Sequence, residues 1–123
     1  MKMGDLAWLL LGVALNAGAQ LGLKAATAVT GRIDGNAASL WSSGLQIATV
    51  PVFWLSLFAY GVSVVVWIIG LSRVPVSQAY PVLSLGYVLA AALAWPLLGE
   101  AVTGQRMVGI IVIIAGVWLV TRT

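Results

Sequence analysis

Cysteine and histidine are both absent from these 123 residues. Their absence excludes disulfides and thiolate or imidazole metal sites, and it removes the commonest nucleophile and the commonest general base. A hydrolytic enzyme is therefore not expected. No two carboxylates share one of the apolar runs either, so no catalytic residue, metal or cofactor is assigned. Charge is also scarce: 7% of the residues are charged, against about 25% in an ordinary soluble domain. The acids are Asp5, Asp34 and Glu100, and the bases are Lys2, Lys24, Arg32, Arg73, Arg106 and Arg122. A net charge of +3 suits a membrane surface or an anionic ligand, but such sparse cations make no nucleic-acid patch. There is no G-x-x-x-x-G-K-[ST] run, so no nucleotide is expected to drive the protein.

What the chain does have is apolar surface. It is 62% hydrophobic with a mean hydropathy of +1.09, the composition of an integral membrane protein. The length admits about four spans of roughly 20 residues. The expected fold is an all-α, four-transmembrane-helix bundle forming a single domain over residues 1–123, with a short amphipathic segment between the first and second spans and no room for an extramembrane domain.

The spans are read at about Leu6–Ala26, Pro51–Leu71, Val76–Leu98 and Gln105–Val120. Lys2, the first apolar run and Ala17-Gly18-Ala19 imitate a secretory signal, but the membrane bundle that follows needs this helix, and it is expected to be retained. Between the first two spans, Gly31, Asp34 and Gly35 mark a turn. Asn36 is placed to cap a short helix to about Ile47, whose Leu40, Trp41 and Leu45 suit the membrane interface. Gly99 is placed to end the third span, and Pro51 to open the second.

Polar side chains recur on one face of each of the first three spans, with residues about 100° apart around a helix. In the first, Asn16, Gln20 and Lys24 form a polar ridge opposite a small-residue ridge of Ala14, Gly18, Gly22 and Ala26. The small ridge is expected to pack and the polar one to face the interior. Asn16 and Gln20 serve either as interhelical hydrogen-bonding glue or as ligand contacts. Lys24 either snorkels to the interface or holds an anion, and its alignment with the other two favours the anion. In the second span Ser56, Tyr60, Ser63 and Trp67 share a face. In the third, Ser77, Tyr80, Ser84 and Tyr87 lie within roughly 80° of arc, continued by Ala91 and Trp95. Three such stripes point to one polar cavity shared between helices. Glu100 and Arg106 are read as a structural pair at the start of the fourth helix, where an acid also meets the helix dipole favourably. Gly109 and Gly116, seven residues apart in an otherwise branched apolar helix, are read as a dimer-packing face. Lys2, Arg73 and Arg122 fall on one side of the membrane, and Arg32 and Arg106, with Lys24 close by, on the other. That balance fixes no orientation and permits an antiparallel pair.

The stretches AGAQLGLKAAT (Ala17 to Thr27), VPVSQAYPVLSLG (Val74 to Gly86), LLGEAVTGQR (Leu97 to Arg106) and GIIVIIAGV, which holds Gly109 and Gly116, resemble the four-helix members of the drug/metabolite transporter superfamily. That branch includes the small multidrug resistance proteins and single repeats of EamA-type transporters. The first two stretches look most like the family of subunits that flip undecaprenyl-phosphate-linked 4-amino-4-deoxy-L-arabinose across the bacterial inner membrane for lipid A modification. Matched on the lysine near the end of the first helix, Asn16 stands where the multidrug branch has its drug- and proton-binding glutamate. That departure counts against proton-coupled cation efflux, and Lys24 with no buried acid suits an anionic head group. The resemblance implies a multi-pass inner-membrane transporter of a polyprenyl phosphate-linked sugar. Lys24 would meet the phosphate, and Asn16, Gln20, Tyr80, Ser84 and Tyr87 the sugar, with Tyr60 or Trp67 against a ring face and Ser63 beside them. The polyprenyl chain would remain in the membrane lipid. It also implies a homodimer, or a heterodimer with a similar four-helix subunit. A small multidrug or cation exporter, and an accessory membrane subunit of a glycosyltransferase system, remain alternatives.

Overall fold

The computed structural model describes all of residues 1–123 and is built entirely of helices: α1 (Met3–Ala26), α2 (Ala37–Ala48), α3 (Pro51–Leu71), α4 (Val76–Leu83), α5 (Leu85–Leu98) and α6 (Gly104–Thr121), with a single 3-10 turn at Thr27–Val29. Four stretches are long and apolar enough to cross a membrane: Met3–Val29, Pro51–Leu71, Val76–Leu98 and Gly104–Thr121. The protein is thus an all-α, multi-pass membrane bundle. The expected spans agree with these bounds to within three residues.

Local chemistry sets the helix ends. Pro51 opens α3 in its first turn, where a missing N–H costs least. Asn36 caps α2 as expected, its side-chain oxygen accepting from the Ser39 N–H at 2.8 Å. The Trp54 indole N–H donates to the Ala48 carbonyl (2.9 Å) and ties the end of α2 to the start of α3. Gly99 ends α5 at φ 71°, a left-handed conformation that other residues rarely adopt.

The third apolar run is not one helix. It breaks at Ser84, between α4 and α5. Pro81 has no N–H, so one turn of α4 already lacks a backbone bond. The Ser84 amide then donates to the Pro81 carbonyl at 3.1 Å, and the Ser84 hydroxyl donates to the same oxygen. Tyr87 N–H repeats the short i→i−3 pattern on Ser84 (3.1 Å). This tightening interrupts the regular i→i−4 ladder of the span.

Helix α1 is the axis of the bundle. It packs antiparallel along α3, and α4 and α5 lie along its other side. The α1–α3 seam is lined by small residues. Gly12 lies against the Ser63 and Trp67 backbone, Gly22 against Ser56, and Gly70 against Leu9; Ser56 and Ser63 are buried there. Where lipid removes the hydrophobic drive between helices, such close backbone approach supplies the packing energy. Two members of the expected small-residue ridge take part, Gly22 and Ala26. Ala14 and Gly18 instead face outward, with nothing within 4 Å of a side chain built on Gly18. The seam lies one position round the wheel, on Gly12, Ala19, Gly22 and Ala26, because the serines and glycine of α3 set its register.

A second cluster, Leu9, Val13, Ala79, Val82 and Val117, joins α1, α4 and α6. Near it the Arg73 guanidinium pairs with Asp5 (3.7 Å) and lies 5.8 Å from the Trp8 ring centroid, while the Gln78 amide donates to the Thr123 carbonyl (2.9 Å). This end of the bundle is knitted together. Helix α6 touches little else: the buried share falls from 28% in the first span to 6% in the fourth.

Candidate functional site

At about 100° per residue, Gln20 and Lys24 continue the α1 face that bears Leu9 and Val13, while Asn16 lies between that face and the one bearing Gly12 and Ala19 against α3. The stripe meets α3 and α4 at Asn16, and α5 and α6 at Gln20 and Lys24. Two hollows lie along it.

The larger, about 380 Å³, opens at the end of the bundle opposite the Arg73–Asp5 pair. Its polar groups are Gln20 and Lys24 of α1, Tyr87 of α5, Glu100 of the α5–α6 loop and Arg106 of α6. Alanines 90, 91 and 94 form its floor, so α5 contributes space and not bulk. Lys24, two residues from the end of α1, joins no ion pair; the only one in the chain is Arg73–Asp5. The same lysine, with Glu100, lines a second opening shared with Arg32 and Gly31, which continues the cleft toward the membrane surface.

The smaller hollow, about 170 Å³, lies deeper along α1 and is lined by Asn16, Tyr60, Ser63, Trp67, Gly12, Val64 and Leu83. The Ser63 hydroxyl is held by the Tyr60 carbonyl at 2.6 Å, so its proton is already engaged. Asn16, Tyr60 and the Trp67 indole N–H supply the uncommitted polar groups of this hollow.

Of the residues singled out in the sequence, Gln20, Lys24 and Tyr87 therefore meet in one cleft, and Asn16, Tyr60, Ser63 and Trp67 in the other. Tyr80 and Ser84 join neither. Helix α4 packs through Ala79 and Val82, which leaves Tyr80 on the outer surface, 66% exposed, and the Ser84 hydroxyl is spent on the Pro81 carbonyl. Glu100 and Arg106 do not pair. Thr103 caps α6 by accepting from the Arg106 N–H (3.2 Å), and the Arg106 guanidinium donates to the Ala101 carbonyl at 3.0 Å, which draws it away from Glu100. Both side chains line the larger cleft. Sequence reasoning placed them outside it because their spacing also suits a helix-end pair.

Beside the cleft runs an apolar groove between α5 and α6, about 570 Å³, lined by Val88, Ala91, Ala92, Trp95, Val102, Met107 and Ile110. Ala91, Val102 and Ile110 belong to both. A polar, net cationic hollow thus passes directly into an apolar trough.

Residues 25–122 match the EamA-like transporter family. Over 116 residues the chain is 38% identical to the "Probable 4-amino-4-deoxy-L-arabinose-phosphoundecaprenol flippase subunit ArnF" of Enterobacter sp. (strain 638), covering 92% of this chain and 91% of that one. It is 44% identical over 69 residues to the protein of the same description named subunit ArnE in Pseudomonas fluorescens (strain Pf0-1), covering 56% of this chain. It is 36% identical over 87 residues to subunit ArnF of Proteus mirabilis (strain HI4320), covering 68%. The chain spans 60% of the length of the Pseudomonas protein and 62% of the Proteus one. All three are named as flippase subunits, under two different subunit names. No solved structure matches the chain.

Proposed function

Because this chain belongs to the EamA-like transporter family, we propose that it is one subunit of a bacterial inner-membrane flippase for a polyprenyl (undecaprenyl) phosphate-linked sugar such as aminoarabinose, serving lipid A and envelope glycan modification. The observation that carries this reading is the union of the cationic cleft at Lys24 with the apolar α5–α6 groove through Ala91, Val102 and Ile110. A ligand that is polar and anionic at one end and purely hydrocarbon at the other fits that pair. The names of the similar proteins supply the sugar and the lipid.

In this reading Lys24 meets the phosphate as a flexible point charge. Gln20 and Tyr87 hydrogen-bond the sugar in the same cleft, and Asn16, Tyr60, Ser63 and Trp67 form a second station deeper along α1. The two hollows mark successive positions of a head group crossing beside α1, while the isoprenoid stays outside in lipid. The exposed α6 and the two subunit names among the relatives support assembly with a second four-helix subunit, through the face that carries Gly109 and Gly116. Transport would be a rocking of one unit against the other around the site.

The test is native mass spectrometry of protein extracted mildly from its membrane, comparing wild type with Lys24→Ala. The wild type is expected to retain undecaprenyl phosphate or its glycosylated form. Lys24→Ala should lose it while still inserted and helical by circular dichroism. Equal retention by both proteins would remove the phosphate assignment. A lipid-free protein that gains mass with added hydrophobic cations would replace this reading with a cation exporter.

A further inference from the structure

The larger cleft has more cation than acid, yet it contains one carboxylate. Glu100 lines both the main cleft and the opening beside it, in each case together with Lys24. Its backbone N–H is committed to the Ala94 carbonyl at 3.3 Å, which ends α5 and fixes where the residue stands. Its side chain has no such commitment. The nearby Arg106 guanidinium is held by the Ala101 carbonyl, and the one ion pair of the chain lies at the other end of the bundle. An acid with no partner beside two cations is poorly suited to a ligand bearing negative charge alone. It suits one that also carries a positive group.

Resting on the flippase reading above, we propose that Glu100 reads the amine of the sugar: the cleft takes a zwitterionic head group, with its phosphate toward Lys24 and Arg106 and its ammonium on the Glu100 carboxylate. The arrangement selects by charge pattern as well as by shape. A neutral sugar on the same phosphate leaves Glu100 facing an anion unpaired, so the acid works against the wrong ligand as well as for the right one. A charge-assisted hydrogen bond at a partly open site corresponds to a preference of about tenfold. Glu100 also lies at the mouth of the cleft and not at its floor. Selection therefore happens at that end of the path and not at Asn16 and Tyr60.

The experiment measures binding of two lipids to purified protein in detergent: undecaprenyl phosphate carrying a 4-amino pentose, and the same lipid with that amine replaced by a hydroxyl. Wild type is expected to bind the amino lipid about tenfold more tightly, and Glu100→Gln, which keeps the backbone bond to Ala94, is expected to bind the two alike. Glu100→Asp should retain a reduced preference. Equal binding of both lipids by wild type overturns the assignment of Glu100 and leaves the flippase reading standing. Loss of both lipids in parallel in Glu100→Gln, with a lowered melting temperature, also overturns it, since the acid would then be structural. Binding of neither lipid by wild type is the failure of the flippase reading itself, and this inference falls with it.

Discussion

At Gly22 the two most closely packed helices leave no room for a methyl group. A Cβ there would collide with the Ser56 hydroxyl and stand 3.1 Å from the Ser56 Cβ. Gly22→Ala is expected to cost about 1–3 kcal/mol, the usual range for overpacking, seen as a lower unfolding temperature in detergent. Adding Ser56→Gly should recover part of the loss. Gly18→Ala, where nothing lies within 4 Å, should stay within about 0.5 kcal/mol of wild type. The sequence set these two glycines on the same ridge and gave them the same task. A helical wheel yields the angle of a residue but not its neighbour, and the neighbour here is a serine 34 positions away in the chain. The same limit explains Glu100 and Arg106, whose spacing suggested a pair. What separates them is a backbone carbonyl, that of Ala101, and backbone acceptors carry no sequence signature. The Lys24 ridge was legible because lysine near the end of an apolar helix is costly enough to demand an explanation.

The broken third span shows how one hydroxyl acts on a whole element. Ser84→Ala removes the donor that competes for the Pro81 carbonyl and lets that oxygen accept the ordinary i→i+4 bond. We expect α4 and α5 to approach a continuous helix, with slower amide exchange at Leu85–Tyr87 by hydrogen–deuterium exchange. Lipid retention should fall, because the turn would carry Tyr87 away from Gln20 and Lys24 even though Ser84 touches no cleft. Faster or unchanged exchange would mean that Pro81 alone sets the break. Span limits were legible to within a few residues because apolar runs begin and end where residues such as Pro51 and Gly99 stand, each with its own backbone preference. The break was not. Apolarity continues from Val76 to Leu98, and whether a serine bonds forward, backward or across is decided by local competition that no periodicity records. Tyr80 was assigned to the site from its place on the polar stripe, but α4 packs through Ala79 and Val82, which leaves Tyr80 on the outer side.

For the molecule as a whole, α6 is the element with the most surface still to cover. Side chains built at Gly109 and Gly116 meet nothing within 4 Å. Gly109→Leu with Gly116→Leu is therefore expected to leave the protomer's helicity unchanged and its stability within about 0.5 kcal/mol. Association with the second subunit should be lost, read as a shift from dimer to monomer in native mass spectrometry. A dimer that survives both changes would move the interface to another face. The way α6 is held also bears on movement within the subunit. It is anchored near one end, where Ile113 and Val117 meet Ala79 and Val82, while Arg106, Met107 and Ile110 toward its other end border open hollows. Its 18 residues extend about 27 Å at 1.5 Å per residue. Pivoted at Val117, such a rod is a lever: its arm to Gly104 is about 20 Å, and a swing of about 10° carries the free tip about 3.5 Å. The tightly packed corner around Leu9 is then the fulcrum, and the aperture that the ligand meets is governed from the membrane face farthest from it.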